Sequence, residues 1–315
     1  MSLGDLIMKT PLNYTGNKSR LIHQLNEIFP ENISTFVDLF CGGGSVGLGS
    51  SAEKVVFIDN NMNVIKLLQH LSKYKAETTI SRLEKIISHY HLSYSAAHGY
   101  STYSAKIKNA GNNGLKEYNK DGFYKMRNDY NNSSDKFRKH SLDLLYLLMV
   151  YGFNNDLRFN SDNQYNLPVG KTDMNKNNIK KIINFVDRAN EKDCKFLYSN
   201  FDDPSIMPIL LDSDFVYADP PYMLGHATYN ESNKWQQTHE TKLYSVLNDL
   251  SDNDVKFGMS NVLKKEPVGY NDSLLSWIND SDLVVDEINY HYRSSSYNKK
   301  NRDANEQEVL IRNYN

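Results

Sequence analysis

The run Thr35-Phe36-Val37-Asp38-Leu39-Phe40 reads as a buried strand, and Cys41-Gly42-Gly43-Gly44-Ser45-Val46-Gly47 follows it without a spacer. Short apolar runs bounded by turn residues fit the core strands of a sheet covered on both faces. Glycines directly after such a strand permit a tight turn and let a ligand approach the backbone closely. A second run, Lys54-Val55-Val56-Phe57-Ile58, comes next and ends in Asp59. An acid at the end of a second strand is placed to accept hydrogen bonds from ribose hydroxyls. These features restrict the chain to an open α/β sheet with its ligands at the carboxyl ends of the strands. Taken alone, the glycine loop fits a dinucleotide site as well.

Beyond Asp59, Val64, Ile65, Leu67, Leu68 and Leu71 recur at helical spacing over residues 62–74. Further strands are predicted at 195–198, 215–218, 256–260, around Val284-Val285 and at 309–311. The pattern is a doubly wound α/β sheet built from residues 1–74 and 195–315. Residues 75–194 form an insert far longer than an α/β crossover needs, and they read as mainly helical. Within the insert, Leu142, Leu144, Leu145, Leu147, Leu148 and Val150 make one helix apolar nearly all round, which marks it as the insert's core. Turn residues inside two strand-like runs, 151–160 and 164–171, predict a hairpin.

Asp219-Pro220-Pro221-Tyr222 follows the apolar run Phe215-Val216-Tyr217-Ala218. Proline fixes its own backbone and restrains the residue before it. The result is a rigid, polar mouth with an aromatic wall at a strand's carboxyl end. Asp219 and the Pro220 carbonyl can together accept both hydrogens of a planar amino group, and Tyr222 can stack on the ring that carries it. That fits methylation of an exocyclic amine on a base. Together with the glycine loop it points to S-adenosylmethionine as the donor. The plainer alternative is an ordinary Pro-Pro turn after a strand.

Net charge is −2, which by itself does not mark a polyanion binder. Distribution says more. Residues 100–195 hold 17 lysines and arginines against 11 acids, a local +6 that leaves −8 for the remainder. A basic insert on an acidic body fits a DNA-facing module, and a solvated helical surface is the other reading. Two cysteines, Cys41 and Cys194, give neither a disulfide framework nor zinc spacing, and no metal is expected. No signal peptide or membrane span is apparent.

The chain resembles the Dam-type, D12-class DNA adenine-N6 methyltransferases with the α order of motifs, and phage-encoded Dam enzymes look closest. The resemblance runs nearly end to end and rests on five blocks in order. These are Tyr14-Thr15-Gly16-Asn17-Lys18, Val37 to Gly44, Phe215 to Tyr222, Phe257 to Val262, and Glu308 to Asn313. It implies a Rossmann-like methyltransferase domain at 1–74 and 195–315, with 75–194 as a DNA target-recognition insert. It assigns Asp219, Pro220, Pro221 and Tyr222 to catalysis. It assigns Tyr14, Lys18, Asp38, Phe40, Gly42, Gly44, Asp59, Phe201 and Asp219 to S-adenosylmethionine. Many relatives carry Asp-Phe where this chain has Asn200-Phe201, so Asn200 and Asp202 both remain open for the cofactor's adenine amino group. It assigns Phe153, Asn154, Asp156, Arg158, Pro168 and Lys171 of the hairpin, and Arg293 of a basic loop, to DNA. Arg158 aligns with an arginine that reads guanine, Phe153 with an aromatic wedge and Pro168 with a thymine-methyl contact. Asp156 stands where relatives often carry an apolar residue.

The expected activity is methylation of a flipped adenine in double-stranded DNA, first within GATC and otherwise within a longer GAT-containing site. Cytosine N4, RNA adenine or a protein amide are rival substrates, and a non-catalytic DNA-binding relative is a rival class. The expected compartment is the cytoplasm of a bacterium or phage-infected host. A cognate restriction endonuclease is a possible genetic partner, with no obligate protein partner.

Overall fold

The structure is a computed structural model and describes residues 10–12, 16, 18–107, 110–224, 235–288 and 306–315. The chain divides into two compact units. One takes in residues 18–61 and the described residues of 192–315; the other takes in 62–191 with the described residues of 8–17.

The first unit is built on a mixed sheet whose strands are β1 (Thr35–Leu39), β2 (Lys54–Asp59), β3 (Asp193–Tyr198), β4 (Phe215–Ala218), β5 (Lys256–Lys265), β6 (Gly269–Tyr270), β7 (Val284–Glu287) and β8 (Glu306–Arg312). Their spatial order is β3-β2-β1-β4-β5-β8-β7, with β6 paired to β5. The first five of that order run parallel, while β8 lies antiparallel to both β5 and β7. Alternation assigns each strand two faces. Val37, Leu39, Val56, Ile58, Val216, Ala218, Phe257 and Met259 join one core with residues of the helices Gln237–Asp252 and Asp272–Asp280. On the opposite face Phe36, Phe215 and Tyr217 form an aromatic layer capped by Phe29, whose ring lies 4.9 Å from that of Phe215. Covering both faces is what the near-continuous apolar runs of parallel strands require.

Because β2 lies on one side of β1 and β4 on the other, the strand order reverses between β1 and β4. An open α/β sheet has its crevice at such a point. Leu39 and Ala218 are register partners, so the chain leaves β1 at Phe40 and β4 at Asp219 side by side.

Several strands exceed their predicted lengths, among them β8, which spans Glu306–Arg312 where 309–311 is predicted. β3 starts at Asp193, and β5 continues to Lys265, where it returns through the short β6. The β5–β8 register shifts between Val262 and Lys264, opposite Glu308 and Gln307. Such a bulge re-aims the side chains beside it.

The second unit is mainly helical. Its helix Lys139–Tyr151 is buried at every residue from Ser141 to Tyr151, as its all-round apolarity predicts. The one acid in that stretch, Asp143, is 2.7 Å from His70 Nε2 and accepts from Arg82 Nε at 3.0 Å. A buried carboxylate needs such partners. The predicted hairpin is irregular. It is joined by two isolated antiparallel bridges, Gly152 with Val169 and Phe159 with Tyr165. Asn154, Asn155 and Asn163 take left-handed backbone conformations, which breaks the ladder. The Asn131 amide, at the end of the helix Lys116–Asn131, donates to the Tyr165 carbonyl and accepts from its N–H, acting as a substitute strand.

At the hairpin's base, a Cβ on Gly152 would lie 2.3 Å from the Tyr165 hydroxyl and 2.5 Å from the Leu148 carbonyl. That hydroxyl donates to that carbonyl at 2.8 Å, so neither group can yield separately. Gly152→Ala should therefore destabilise the protein by about 1–3 kcal/mol, the usual range for overpacking. Thermal unfolding followed by circular dichroism checks this, and an unchanged midpoint would contradict it.

Candidate active site

The loop after β1 is fixed by backbone bonds before any side chain acts. Phe40 N and Cys41 N both donate to the Ile58 carbonyl at the end of β2. Phe40 has φ 89°, a region that costs a non-glycine residue roughly 1–3 kcal/mol. Gly42 and Gly44 follow with φ 47° and 72°, which glycine adopts without penalty. Gly42, Gly44 and Gly47 stand at the spacing Gly-x-Gly-x-x-Gly. The third position has its own reason. A Cβ on Gly47 would lie 2.6 Å from Phe57 Cε1 and 2.7 Å from Val55 Cγ1, so only glycine lets the helix Ser45–Gly49 approach β2.

Two buried carboxylates hold this loop. Asp38 Oδ2 accepts from Gly47 N at 2.9 Å. Asp59 accepts from Gly42 N at 2.9 Å and from Asn61 N at 2.8 Å, one bond to each oxygen. Asp38 is 2% exposed and Asp59 7%. Burial pushes the Asp38 carboxyl up to about 7, opposed by the Gly47 hydrogen bond and reinforced by Asp219 and Asp59. Burial also raises Asp59, opposed by its two backbone bonds.

Beside the loop, Asp219 stands at the centre of a four-residue cluster. Its Oδ2 lies 2.9 Å from Lys18 Nζ, and its Oδ1 accepts from the Tyr222 hydroxyl at 2.8 Å. Lys18 is 3% exposed and also donates to the Tyr222 oxygen at 2.9 Å. Glu308, from β8, completes the group. Its Oε1 lies 3.4 Å from Lys18 Nζ and 3.2 Å from the Tyr222 hydroxyl. Pro220 is buried and Pro221 exposed. The geometry thus brings Lys18, Asp219 and Tyr222 together, and next to them the glycine loop.

Phe40 and Phe201 rings lie 5.3 Å apart, and Trp235 packs on both at 5.8 and 5.5 Å. Asp202 is engaged by Lys242 at 2.8 Å, whereas Asn200 is exposed. Tyr14 and Arg293 lie outside the described residues, as do His226, Tyr229 and the basic positions Lys299, Lys300 and Arg302.

In the helical unit, Phe153, Asn154, Arg158, Pro168 and Lys171 are all exposed on the hairpin. Arg158 Nε donates to Asn166 Oδ1 at 3.1 Å, which leaves its two terminal nitrogens uncommitted. Asp156 is half-buried, and its Oδ1 accepts from the next backbone N–H at 2.8 Å. The Pro168 carbonyl accepts from Phe153 N and so couples the two sides of the hairpin.

Sequence reasoning missed Gly47 and Glu308. The glycine spacing announces the first. Nothing local announces the second, because its partners Lys18 and Tyr222 lie far from it along the chain.

Asp38 generates a pH prediction. Its folded pKa lies above its unfolded one, so the folded state binds the extra proton between pH 4 and 7 and this group's contribution to stability falls as pH rises through that window. Asp38→Asn keeps an acceptor for Gly47 N and removes the titration. Its melting temperature should therefore fall less between pH 5 and 8 than that of the wild type, and parallel profiles would refute the assignment.

The family model for the D12 class N6 adenine-specific DNA methyltransferases matches residues 14–304. Type II methyltransferase M.FokI of Planomicrobium okeanokoites is 34% identical over 98% of this chain and 43% of its own length. Modification methylase StsI of Streptococcus sanguinis is 30% identical over the same share of each. The DNA adenine methylase of Haemophilus influenzae is 26% identical over 67% of this chain and 63% of its own. The chain therefore spans less than half the length of the first two relatives. It belongs to the D12 class N6 adenine-specific DNA methyltransferase family.

Proposed function

From that membership, we propose that the chain transfers a methyl group from S-adenosylmethionine to N6 of an adenine flipped out of duplex DNA, within a GAT-containing site. The observation that carries this reading is the position of Asp219. It leaves β4 beside the glycine loop at the point of strand reversal, with 18% of its side chain open to solvent while Lys18 beside it is buried.

The residues present fit the cofactor. The crowding at Gly47 keeps the loop low against the sheet, and Gly42 and Gly44 carry no side chain to hold a ligand off its backbone. Each Asp59 oxygen has one bond to the backbone and a further lone pair for a ribose hydroxyl. Phe40 and Phe201 supply apolar surface for an adenine ring, with the exposed Asn200 next to them. Asp38 acts from beneath, as the anchor of the loop. Tyr14 and Lys18 complete the proposed set. When bound, S-adenosylmethionine supplies an electrophilic methyl on a sulfonium.

An adenine amino group is a weak nucleophile because its lone pair is delocalised into the ring. Lys18 holds Asp219 Oδ2, so Oδ1 is the oxygen offered to the substrate. With Oδ1 and the Pro220 carbonyl accepting both amino hydrogens, the nitrogen pyramidalises and recovers its lone pair. Asp219 takes the surplus proton afterwards, so it need not be a strong base. Orientation and fixed charge supply the acceleration. Flipping brings the base to this site, where Tyr222 stacks on it.

The hairpin supplies specificity. Arg158 can pair with guanine O6 and N7 through its uncommitted nitrogens, and Pro168 offers an apolar contact to a thymine methyl. Phe153 serves as the wedge, with Asn154, Asp156 and Lys171 around it and Arg293 on the phosphates. GATC is the first site to test. A longer GAT-containing site is the second to test. In that setting the enzyme works in the cytoplasm of a bacterium or phage-infected host and can protect DNA from a cognate endonuclease.

Asp219→Ala should lower methylation of a duplex by about 100-fold or more, the scale of losing a preorganised electrostatic contact. Glu308 remains as counter-ion to Lys18, so the variant should stay folded, and a folded variant with near wild-type turnover would sink the mechanism. Arg158→Ala should cost about 1–3 kcal/mol of discrimination at one guanine. Sequencing methylated adenines across a random library reads both points, and adenines modified outside any GAT context would overturn the specificity.

A further inference from the structure

Glu308 is the one member of the Asp219 cluster to which the proposed reaction gives no task. It is 7% exposed, and its carboxyl is raised by burial, against the pull of Lys18. A buried acid at a reactive site is costly unless it is paired. It sits where the β5–β8 register shifts, at the site end of the sheet.

Counting donors and acceptors gives it a task. Among the acceptors around the Lys18 ammonium are Asp219 Oδ2, the Tyr222 oxygen and Glu308 Oε1. The Tyr222 hydroxyl has one proton and two carboxylates in range, Asp219 Oδ1 at 2.8 Å and Glu308 Oε1 at 3.2 Å. In this structure both Asp219 oxygens are therefore engaged. Oδ1 keeps a second lone pair, but sharing it with the Tyr222 proton weakens what it offers an amino group, so the stronger contact forms when that proton turns elsewhere. Leaving that hydroxyl unpaired would penalise the arrangement in which the amino group is activated. Glu308 Oε1 is the acceptor already in place.

We propose that Glu308 is a positioning residue that holds Lys18 on Asp219 and receives the Tyr222 hydroxyl when the adenine amino group claims Asp219 Oδ1. No bond is made or broken in this step. One hydrogen bond moves from Asp219 to Glu308, and the tyrosine keeps its proton. The inference rests on the assignment of Asp219 made above. The same Oε1 serves both partners, so a glutamine can replace it as acceptor, whereas leucine cannot.

The test compares Glu308→Gln and Glu308→Leu with the wild type. Glu308→Leu should lower kcat roughly 10- to 100-fold, the scale of an unpaired buried polar group, with KM for DNA within about threefold. Glu308→Gln should recover most of kcat. A merely structural residue would instead lower the folded fraction in both variants and leave kcat per folded molecule unchanged. Wild-type kcat in Glu308→Leu, or equal losses in both variants, overturns the proposal.

A second readout needs no turnover. With lysine labelled at Nζ with nitrogen-15, the buried Lys18 ammonium should give a slowly exchanging signal in the wild type and in Glu308→Gln. Glu308→Leu should lose or shift it, and an unchanged signal there overturns the holding role. A wild type that methylates no adenine, with this signal behaving as expected, would reject the reaction assigned to Asp219 and leave the holding role of Glu308 standing.

Discussion

Two buried carboxylates accepting backbone N–H groups set the geometry on which the rest of the first unit's site depends. Asp38 holds Gly47, and Asp59 holds Gly42 and Asn61. Asp59 ends β2 and Asp38 lies one residue before the end of β1, and alternation puts both on the same face of the sheet. That constraint explains the strain at Phe40, whose positive φ turns the chain from β1 into the glycines. It also explains why Gly47 has no room for a methyl group. The bonds offset the strain and fix the loop, which is buried from Cys41 to Leu48. A glycine loop held from below needs no lysine or metal to give it shape.

The second carboxylate system works by exchange. Asp219, Glu308, Lys18 and Tyr222 share a small number of protons among several acceptors at hydrogen-bond distance. The three charged groups and the Tyr222 hydroxyl stabilise one another, because burial of Lys18 and Glu308 leaves little solvent as a partner. Such clusters are sensitive to the removal of one member and tolerant of a shift in who donates to whom. The loop system is static and the Asp219 system is adjustable. The two meet where β1 and β4 part.

Legibility in the sequence follows the range of the interactions. The strands are readable because parallel strands are buried on both faces, and this leaves runs such as Val55 to Ile58. The helix Lys139–Tyr151 is readable for the same reason, although its Asp143 reads only as an interruption until His70 and Arg82 are beside it. The glycine loop is readable from composition and from spacing. The ends of β5 are not, because its extension to Lys265 depends on β6 and on the register shift against β8. The hairpin shows the limit most plainly. Its residues have strand character, yet three left-handed asparagines and the Asn131 amide replace most of the ladder.

Glu308 is invisible in the sequence for a physical reason. In its own strand it reads as one polar residue before Val309, Leu310 and Ile311. Only the antiparallel insertion of β8 next to β5 carries it to the site end of the sheet, and only the bulge opposite it turns it inward. Lys18 arrives from the other end of the chain. Closing a loop of that length costs little more entropy than closing a shorter one, since the cost grows only with the logarithm of length. A fold can therefore bring Lys18 and Glu308, which no local pattern connects, to the Asp219-Pro220-Pro221-Tyr222 motif. Sheet topology, more than motif, decides which acid stands next to Asp219.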